Sequence, residues 1–319
     1  MRFSKKRQIY TVAFYNVENL FDTVDNPLTA DDQYTAKGER RWNKKKYLHK
    51  IRKLSSVIAQ LGTNLSAHAP AIVGLVEVEN SKVIQDLIRH KNLSKHDYGF
   101  VHYDSPDERG IDVALLYNRR FFEVLSSKTY ELDLYDEDGN RDYTRDVLLV
   151  SGRLNGELIH VLVNHWPSRR EGIEESKHKR IKAAKVVHEA IEDIKRHIND
   201  PNVIIMGDFN DDPTSESIQD NLLTDELFNP MNMLHRNGFG TLTFGGKWNL
   251  FDQIIFSKNF FDSGKSKHTF LHAEVFNQKW LKVHRGKLQG SPFRTYIGPW
   301  YKGGFSDHFP VYTYFEKDE

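Results

Sequence analysis

The sequence predicts a single-domain α/β or α+β sandwich. Three observations predict it. Apolar β-branched runs interleave with stretches of helical periodicity in both halves of the chain. Two turn sequences, Asp138-Gly139-Asn140 and Asn155-Gly156, sit between β-rich runs and mark hairpins. No Pro- or Gly-rich linker, internal repeat or low-complexity block divides the 319 residues. The hairpins argue against a doubly wound sheet, whose parallel strands need crossovers.

The elements follow in order. Ile9 to Tyr15 is β-branched and aromatic and reads as a strand, preceded by a basic, flexible lead over residues 1–8. A polar loop with Asp22, Asp25, Asp31 and Asp32 follows. Tyr47, Ile51, Leu54, Ile58 and Leu61 recur at helical spacing, and Gly62 supplies a C-terminal stop. Ala71 to Val76 is continuously apolar, as in a strand covered on both faces. Val83, Ile84, Leu87 and Ile88 mark a short helix. Leu158 to Asn164 is the strand after the second turn sequence. Ile181, Ala184, Val187, Ile191, Ile194 and Ile198 form the apolar stripe of a long helix. Val203 to Met206, Phe251 to Phe256 and Pro310 to Phe315 read as later strands.

Composition excludes several chemistries. The chain has no cysteine, so it has no disulfide framework, Cys-ligated zinc, iron–sulfur cluster or cysteine nucleophile. Aromatics at 12% are too many for a disordered chain. Lys+Arg is 45 and Asp+Glu 44, giving +1, so any grip on a polyanion must come from local patches. The apolar run after Arg7 stops at Asn16 and Glu18, too short for a signal core or a spanning helix. These features lead to the expectation of a cytoplasmic monomer. No phosphate-cradling Gly-x-x-x-x-Gly-Lys, no Gly-x-Ser-x-Gly elbow and no His-Glu-x-x-His is present; Gly240 to Lys247 approaches the first with the wrong spacing.

The polar residues that remain cluster where strands end. Asn16 ends the first strand and Glu77 the second. Asn164 and His165 end the third, and Asp208 and Asn210 the fourth. Asp252 starts a later strand, and Asp307 and His308 precede the last. Strand ends present side chains rigidly at one rim of a sheet. Singly, each has a plain reading: Asn16 a turn cap, Asp208 an Asx-turn, His165 a core histidine. Glu77 after six apolar residues is harder to dismiss, because a carboxylate there wants a cation or donors.

Taken together, six segments carry a resemblance. They are Phe14-Tyr-Asn-Val-Glu-Asn19, Gly74-Leu-Val-Glu-Val-Glu-Asn80, Val163-Asn-His-Trp-Pro-Ser168, Ile205-Met-Gly-Asp-Phe-Asn210, Phe251-Asp-Gln-Ile-Ile-Phe256 and Ser306-Asp-His-Phe-Pro-Val311. The chain resembles the endonuclease/exonuclease/phosphatase superfamily, the deoxyribonuclease-I-like metal-dependent phosphohydrolases. The resemblance implies a four-layer α/β/β/α sandwich, two packed mixed sheets flanked by helices, with the site at one rim. It implies Mg²⁺ or Mn²⁺ as cofactor, with Glu77 the main ligand, Asn16 at the same site and Asp307 close to it. It gives Asp208 the task of orienting or deprotonating water, and Asn210 that of holding a phosphate oxygen. His308 with Asp307, and His165 with Asp252, are expected as two His–carboxylate pairs. Elementary chemistry agrees, since an anionic phosphodiester needs charge neutralisation, an activated water and a protonated leaving oxygen.

The substrate is expected to be a phosphodiester, with nucleic acid favoured over a small, inositol or lipid phosphoester. An inactive binding module is disfavoured by the intact constellation. Candidate substrate contacts are Arg109, whose fork suits phosphate, Asn164, Ser168 and Arg169 around the third strand end, and Arg294 and Trp300 in a segment mixing aromatic and basic residues before Ser306. Asp112 is expected either to face the pocket or to cap its strand.

Overall fold

The computed structural model describes residues 7–318 apart from 137, 171, 245 and 263–266. Two six-stranded sheets carry the fold. The first holds β1 (Arg7–Leu20), β2 (Ile72–Val78), β3 (Tyr98–His102), β4 (Asp112–Asn118), β11 (Thr269–Val275) and β12 (Val311–Asp318). The second holds β5 (Phe122–Tyr130), β6 (Val147–Leu154), β7 (Glu157–His165), β8 (Val203–Asp208), β9 (Leu227–Phe228) and β10 (Asp252–Ser257). The orders are β11-β12-β1-β2-β4-β3 and β9-β10-β8-β7-β6-β5. Each sheet has one parallel pair at its middle, β1/β2 in the first and β7/β8 in the second, with antiparallel neighbours on both sides. The sheets are mixed, as the hairpin signals required.

Helices close the outer faces. Asn43 caps α1 (Lys44–Ile58) and Asn80 caps α2 (Ser81–Arg89) through their side-chain oxygens. Both pack beside the first sheet. α3 (Lys177–Lys195) covers the second sheet, laying Ala183, Ala184, Val187 and Ile191 on Leu162, Ile205 and Ile255. The alternate residues Val161, Val163, Ile204, Met206, Ile254 and Phe256 point the other way, into the core between the sheets. Period-2 alternation of two apolar sets is why these runs read as continuously apolar. The Asn155-Gly156 hairpin joins β6 to β7 with both residues left-handed, at φ 44° and 89°. No helix of the described residues is long and apolar enough to cross a membrane.

Three expectations change. Of the lead expected over residues 1–8, residues 1–6 lie outside the described residues, while Arg7 and Gln8 already pair with Asp318 and Lys317. Asn16 and Glu77 do not end their strands; they sit where the β1/β2/β4 register shifts, between Asn16 and Leu20 and between Val76 and Val78. There Glu18, Asn19 and Glu77 take left-handed φ values of 51°, 50° and 64°. Such bulges re-aim side chains at the end of a ladder.

The sheets press tightly together at Gly74 of β2. A Cβ there would lie 2.5 Å from Met206 Sδ and 3.1 Å from Phe14 Cδ2. We expect Gly74→Ala to cost about 1–3 kcal/mol by overpacking, and Met206→Ala about 2–5 kcal/mol by leaving a cavity. In the double variant the losses fall short of their sum, because the truncated Met206 vacates the space the new methyl needs. Denaturant melts of the four proteins measure this; strict additivity would show that the contact is not tight.

Candidate active site

The two parallel pairs end at the same place on opposite sides of the core. Parallel register sets His165 of β7 beside Asp208 of β8, and antiparallel register sets Asp252 of β10 beside Asp208 on the other flank. His165, Asp208 and Asp252 thus form one row across three strands. From the first sheet, Asn16 reaches across: its Nδ2 donates to Asp208 Oδ2 at 3.0 Å and lies 3.4 Å from Glu77 Oε1. The bulges supply donors for the carboxylates and amide. Glu77 Oε2 accepts from Asn19 N at 2.8 Å, and Asn16 Oδ1 accepts from Glu18 N at 2.9 Å. Asp208 Oδ1 accepts from Asn210 N at 2.9 Å, with Asn210 left-handed at φ 51°. Asn210 Nδ2 is itself anchored on Trp166 O at 2.9 Å.

His308 completes the row. Its Nδ1 is 2.7 Å from Asp252 Oδ2, and its Nε2 faces Asp208 Oδ2 at 3.9 Å. His165 Nε2 stands 3.9 Å from the same Asp208 oxygen and 4.0 Å from Glu77 Oε1. Both imidazoles therefore aim at one point beside Asp208. Next to it opens a polar cleft of about 470 Å³, lined among others by Glu77, Asp307, Arg109, Arg170, Arg294 and Tyr296.

The Endonuclease/Exonuclease/phosphatase family profile matches residues 11–317. The chain belongs to that family. No curated protein matches the sequence. Among solved structures, an endonuclease/exonuclease/phosphatase family protein from Bacteroides thetaiotaomicron superposes with TM-score 0.61 at 17% identity, covering 98% of this chain and 99% of that one. TDP2 of D. rerio, complexed with a single-strand DNA product, gives TM-score 0.59 at 16% identity, over 96% and 98% of the two chains. A mannosyl-6-phosphatase of Bacteroides thetaiotaomicron gives TM-score 0.57 at 18% identity, over 96% and 99%. The chain shares the family's deoxyribonuclease-I-like sandwich and is a phosphoester hydrolase.

Family members depend on a divalent metal. The residues present fit such an ion. Glu77 and Asp307 offer carboxylate oxygens, the donors preferred by a hard cation, and the Asn16 amide lies beside Glu77 with its Nδ2 turned toward it and its Oδ1 accepting from Glu18 N. Asp208 and Asp252 add two further carboxylates beside them, and Asp252 Oδ1 is buried with no hydrogen-bond partner.

Electrostatics separates the two imidazoles. Burial, then the Arg145 and Arg109 guanidinium groups, hold His165 well below its ordinary value, so it is neutral at pH 7. Burial pulls His308 down too, but the Asp252 carboxylate and its hydrogen bond, with Asp208 and Asp307 beyond, lift it well above the ordinary value. His308 is an imidazolium. Burial pushes Asp208 up to about 6, with His308 drawing it down and Asp252 pushing it up.

Several expected roles do not survive the geometry. Asp252 pairs with His308, not His165. Asp307 keeps a looser contact with His308, its Oδ1 4.0 Å from Nε2, while its Oδ2 meets the Arg294 guanidinium, which also faces Glu18 Oε1 at 3.5 Å. Neighbours in sequence proved a poor guide to partners across sheets. Asn164 points to the opposite face of β7 from His165. It is fully buried, bonded to Met206 O at 3.3 Å and to Trp166 Nε1 at 3.2 Å, and does not contact the site. Arg169 braces the turn after Asp208, donating to Asn210 O at 2.7 Å and lying over the Phe251 ring, while Arg170 is the one that lines the cleft. Ser168 is half-buried outside the cleft lining, and Trp300 is 71% exposed in a two-stranded ribbon, paired with Ile297, outside it as well. Arg109 and Arg294 do line the cleft. Asp112 caps its loop, accepting from Ser105 N at 2.9 Å and meeting His102 Nε2 at 3.0 Å. Arg145 was not singled out from sequence. It is buried on Asp107 at 2.9 Å and Trp166 O at 3.0 Å, and no motif marks it.

In metal-free protein, NMR titration of the rings is expected to place the His308 midpoint well above 6.5 and the His165 midpoint well below it. Asp252→Asn brings His308 down. Because the folded-state value of His308 is raised, its contribution to stability is full below about pH 6.5 and fades as pH rises through the folded value. Asp252→Asn flattens that slope. Two rings titrating together near 6.5 would overturn the assignment.

Proposed function

We propose that the chain is a divalent-metal-dependent phosphodiesterase acting on nucleic acid by in-line attack of water. The observation that supports it is the single row of His165, Asp208 and Asp252–His308, faced by Asn16 and Glu77, beside an arginine-lined cleft. Asp208, ionised above about pH 6, orients water and accepts its proton. His308, held as an imidazolium by Asp252, donates to a phosphoryl oxygen as charge develops, and is the group that carries a proton to give to the leaving oxygen. His165, kept neutral by burial and by Arg145 and Arg109, adds a hydrogen bond without adding a charge. Asn210 holds a phosphate oxygen. Glu77, with Asn16 and Asp307, would hold Mg²⁺ or Mn²⁺, which supplies charge neutralisation and polarises the phosphoryl group. Arg109 and Arg170 line the cleft where flanking phosphates would run, and Tyr34, Trp42 and Tyr296 give it an aromatic wall.

A second reading is hydrolysis of a small-molecule, inositol or lipid phosphoester. It is favoured by the likeness to a mannosyl-6-phosphatase and by a cleft of about 470 Å³, enough for a sugar.

One assay panel with Mg²⁺ or Mn²⁺ separates the two. It sets single-stranded DNA, plasmid DNA, RNA and bis-p-nitrophenyl phosphate against mannose 6-phosphate, inositol phosphates and sphingomyelin. We expect turnover of the first group. Cleavage confined to the second would overturn the nucleic-acid reading. His308→Ala and Asp208→Asn are each expected to lower kcat about 10²–10⁴-fold. Glu77→Ala is expected to abolish the response to added metal; a variant that keeps full metal-dependent turnover would remove Glu77 from the ligand set.

A further inference from the structure

Lys50 is a charged residue on the core-facing side of α1. Its side chain is 1% exposed. Nζ donates to Thr295 Oγ1 at 2.6 Å and to Phe305 O at 2.8 Å, and lies 3.4 Å from Glu18 Oε2. A helix needs no ammonium to pack on a sheet, and taking one out of water costs several kcal/mol unless its partners are well placed. A methionine would fill the same space with no such requirement.

The three partners share one property. Glu18 lies two residues past Asn16, in the left-handed bulge. Thr295 follows Arg294, whose guanidinium meets Asp307, and its N–H donates to Glu18 Oε2 at 2.7 Å. Phe305 immediately precedes Ser306-Asp307-His308. Ser306 Oγ in turn donates to Asn16 O at 2.7 Å and accepts from His308 N at 3.0 Å. The helix residue before Lys50, His49, holds the same loop through Gly303 O at 3.1 Å. One ammonium thus ties together the end of β1 and both ends of the loop that delivers His308.

We infer that Lys50 is a positioning residue for catalysis, fixing the Ser306–His308 segment against Asn16 so that His308 and Asp307 meet the site in register. The inference rests on the proposed phosphoester cleavage at this site. Lys50 does not touch His308; it bonds Glu18 and Thr295 in the cleft wall, and its effect on His308 travels through the backbone at 305 and the Glu18 bulge. Misplacement of a reacting group by about 1 Å costs on the order of 10²-fold in rate.

Two readouts test it. Lys50→Met is expected to lower kcat on bis-p-nitrophenyl phosphate about 10- to 100-fold, with KM changed less than about 2-fold. It is also expected to move the ring resonances of His308 in metal-free protein while leaving those of His160, five residues upstream of His165 on β7, in place. A purely structural lysine would lower the melting temperature and leave kcat and the His308 ring unchanged below it; that result overturns the inference. The cysteine-free sequence permits a rescue. In Lys50→Cys the introduced thiolate is the sole thiol, and in urea it displaces bromide from 2-bromoethylamine, giving a sulfur-containing isostere of the lysine side chain. After refolding beside wild type treated identically, kcat is expected to return. Failure to recover activity in a chain that refolds to the wild-type circular dichroism spectrum counts against it. Should Lys50→Met not fold, Thr295→Val removes one anchor, and unchanged kcat and His308 resonances there overturn the inference equally. Wild type inert on every phosphoester, with the His308 ring still displaced by Lys50→Met, would defeat the proposed function and leave the positioning intact.

Discussion

The hydrogen bond from Asn16 to Asp208 is the interaction on which the site depends. It crosses from one sheet to the other where both parallel pairs end. Asp208 and Asp252 are buried side by side, and two such carboxylates persist as anions only with donors and positive charge close by. Asn16 supplies a donor from the opposite sheet, the turn at Asn210 supplies another, and His308 supplies the charge. The sandwich spacing is therefore set twice: by apolar packing at Gly74 against Met206, and by one amide at the rim. Local backbone strain follows from the same demand. Glu18, Asn19, Glu77 and Asn210 all take left-handed conformations, each at a cost of about 1–3 kcal/mol, and all four lie at the point where the sheets meet.

Much of this was legible in sequence, and the boundary of legibility has a physical form. The strands with buried faces and the helices with apolar stripes were readable because burial imposes a period on a contiguous stretch. Strand-end polar residues were readable because a carboxylate after six apolar residues is costly without a partner. What periodicity does not encode is which partner. Asp252 reaches His308 only through the register of β8 with β10 and the docking of one sheet on the other. The adjacent Asp307 looked the natural partner and is taken by Arg294. Asn164 and His165 are neighbours in sequence and opposites in space, a consequence of the two-residue repeat of a strand. Arg145 and Lys50 carry no motif at all. Their importance comes from burial, which a single lysine or arginine in a mixed stretch does not announce.

The same geometry explains how two histidines in one site divide their chemistry. Both are buried, which favours the neutral ring in each. The difference lies in what offsets burial: Asp252 bonds His308 at 2.7 Å, whereas the carboxylates nearest His165, Asp208 and Glu77, stand 3.9 and 4.0 Å off and guanidinium charge adds to the effect of burial. Placement of Asp252, rather than the imidazoles themselves, decides which ring holds a proton.

The place of β12 has a consequence for how the molecule is made. It lies between β11 and β1, and Thr313 bonds to Val12 across a separation of 301 residues. His308, Asp307 and the segment they ride on precede it directly. Without β12 the first sheet therefore keeps only β1, β2, β4 and β3 joined, and the row of site residues lacks its imidazolium. Contacts of such range close late and slowly. The Asn16 bulge and the Ser306 turn, 290 residues apart, must meet before Asp307 and His308 can face Glu77 and Asp208, so the site is the last part of the molecule that its two ends can complete.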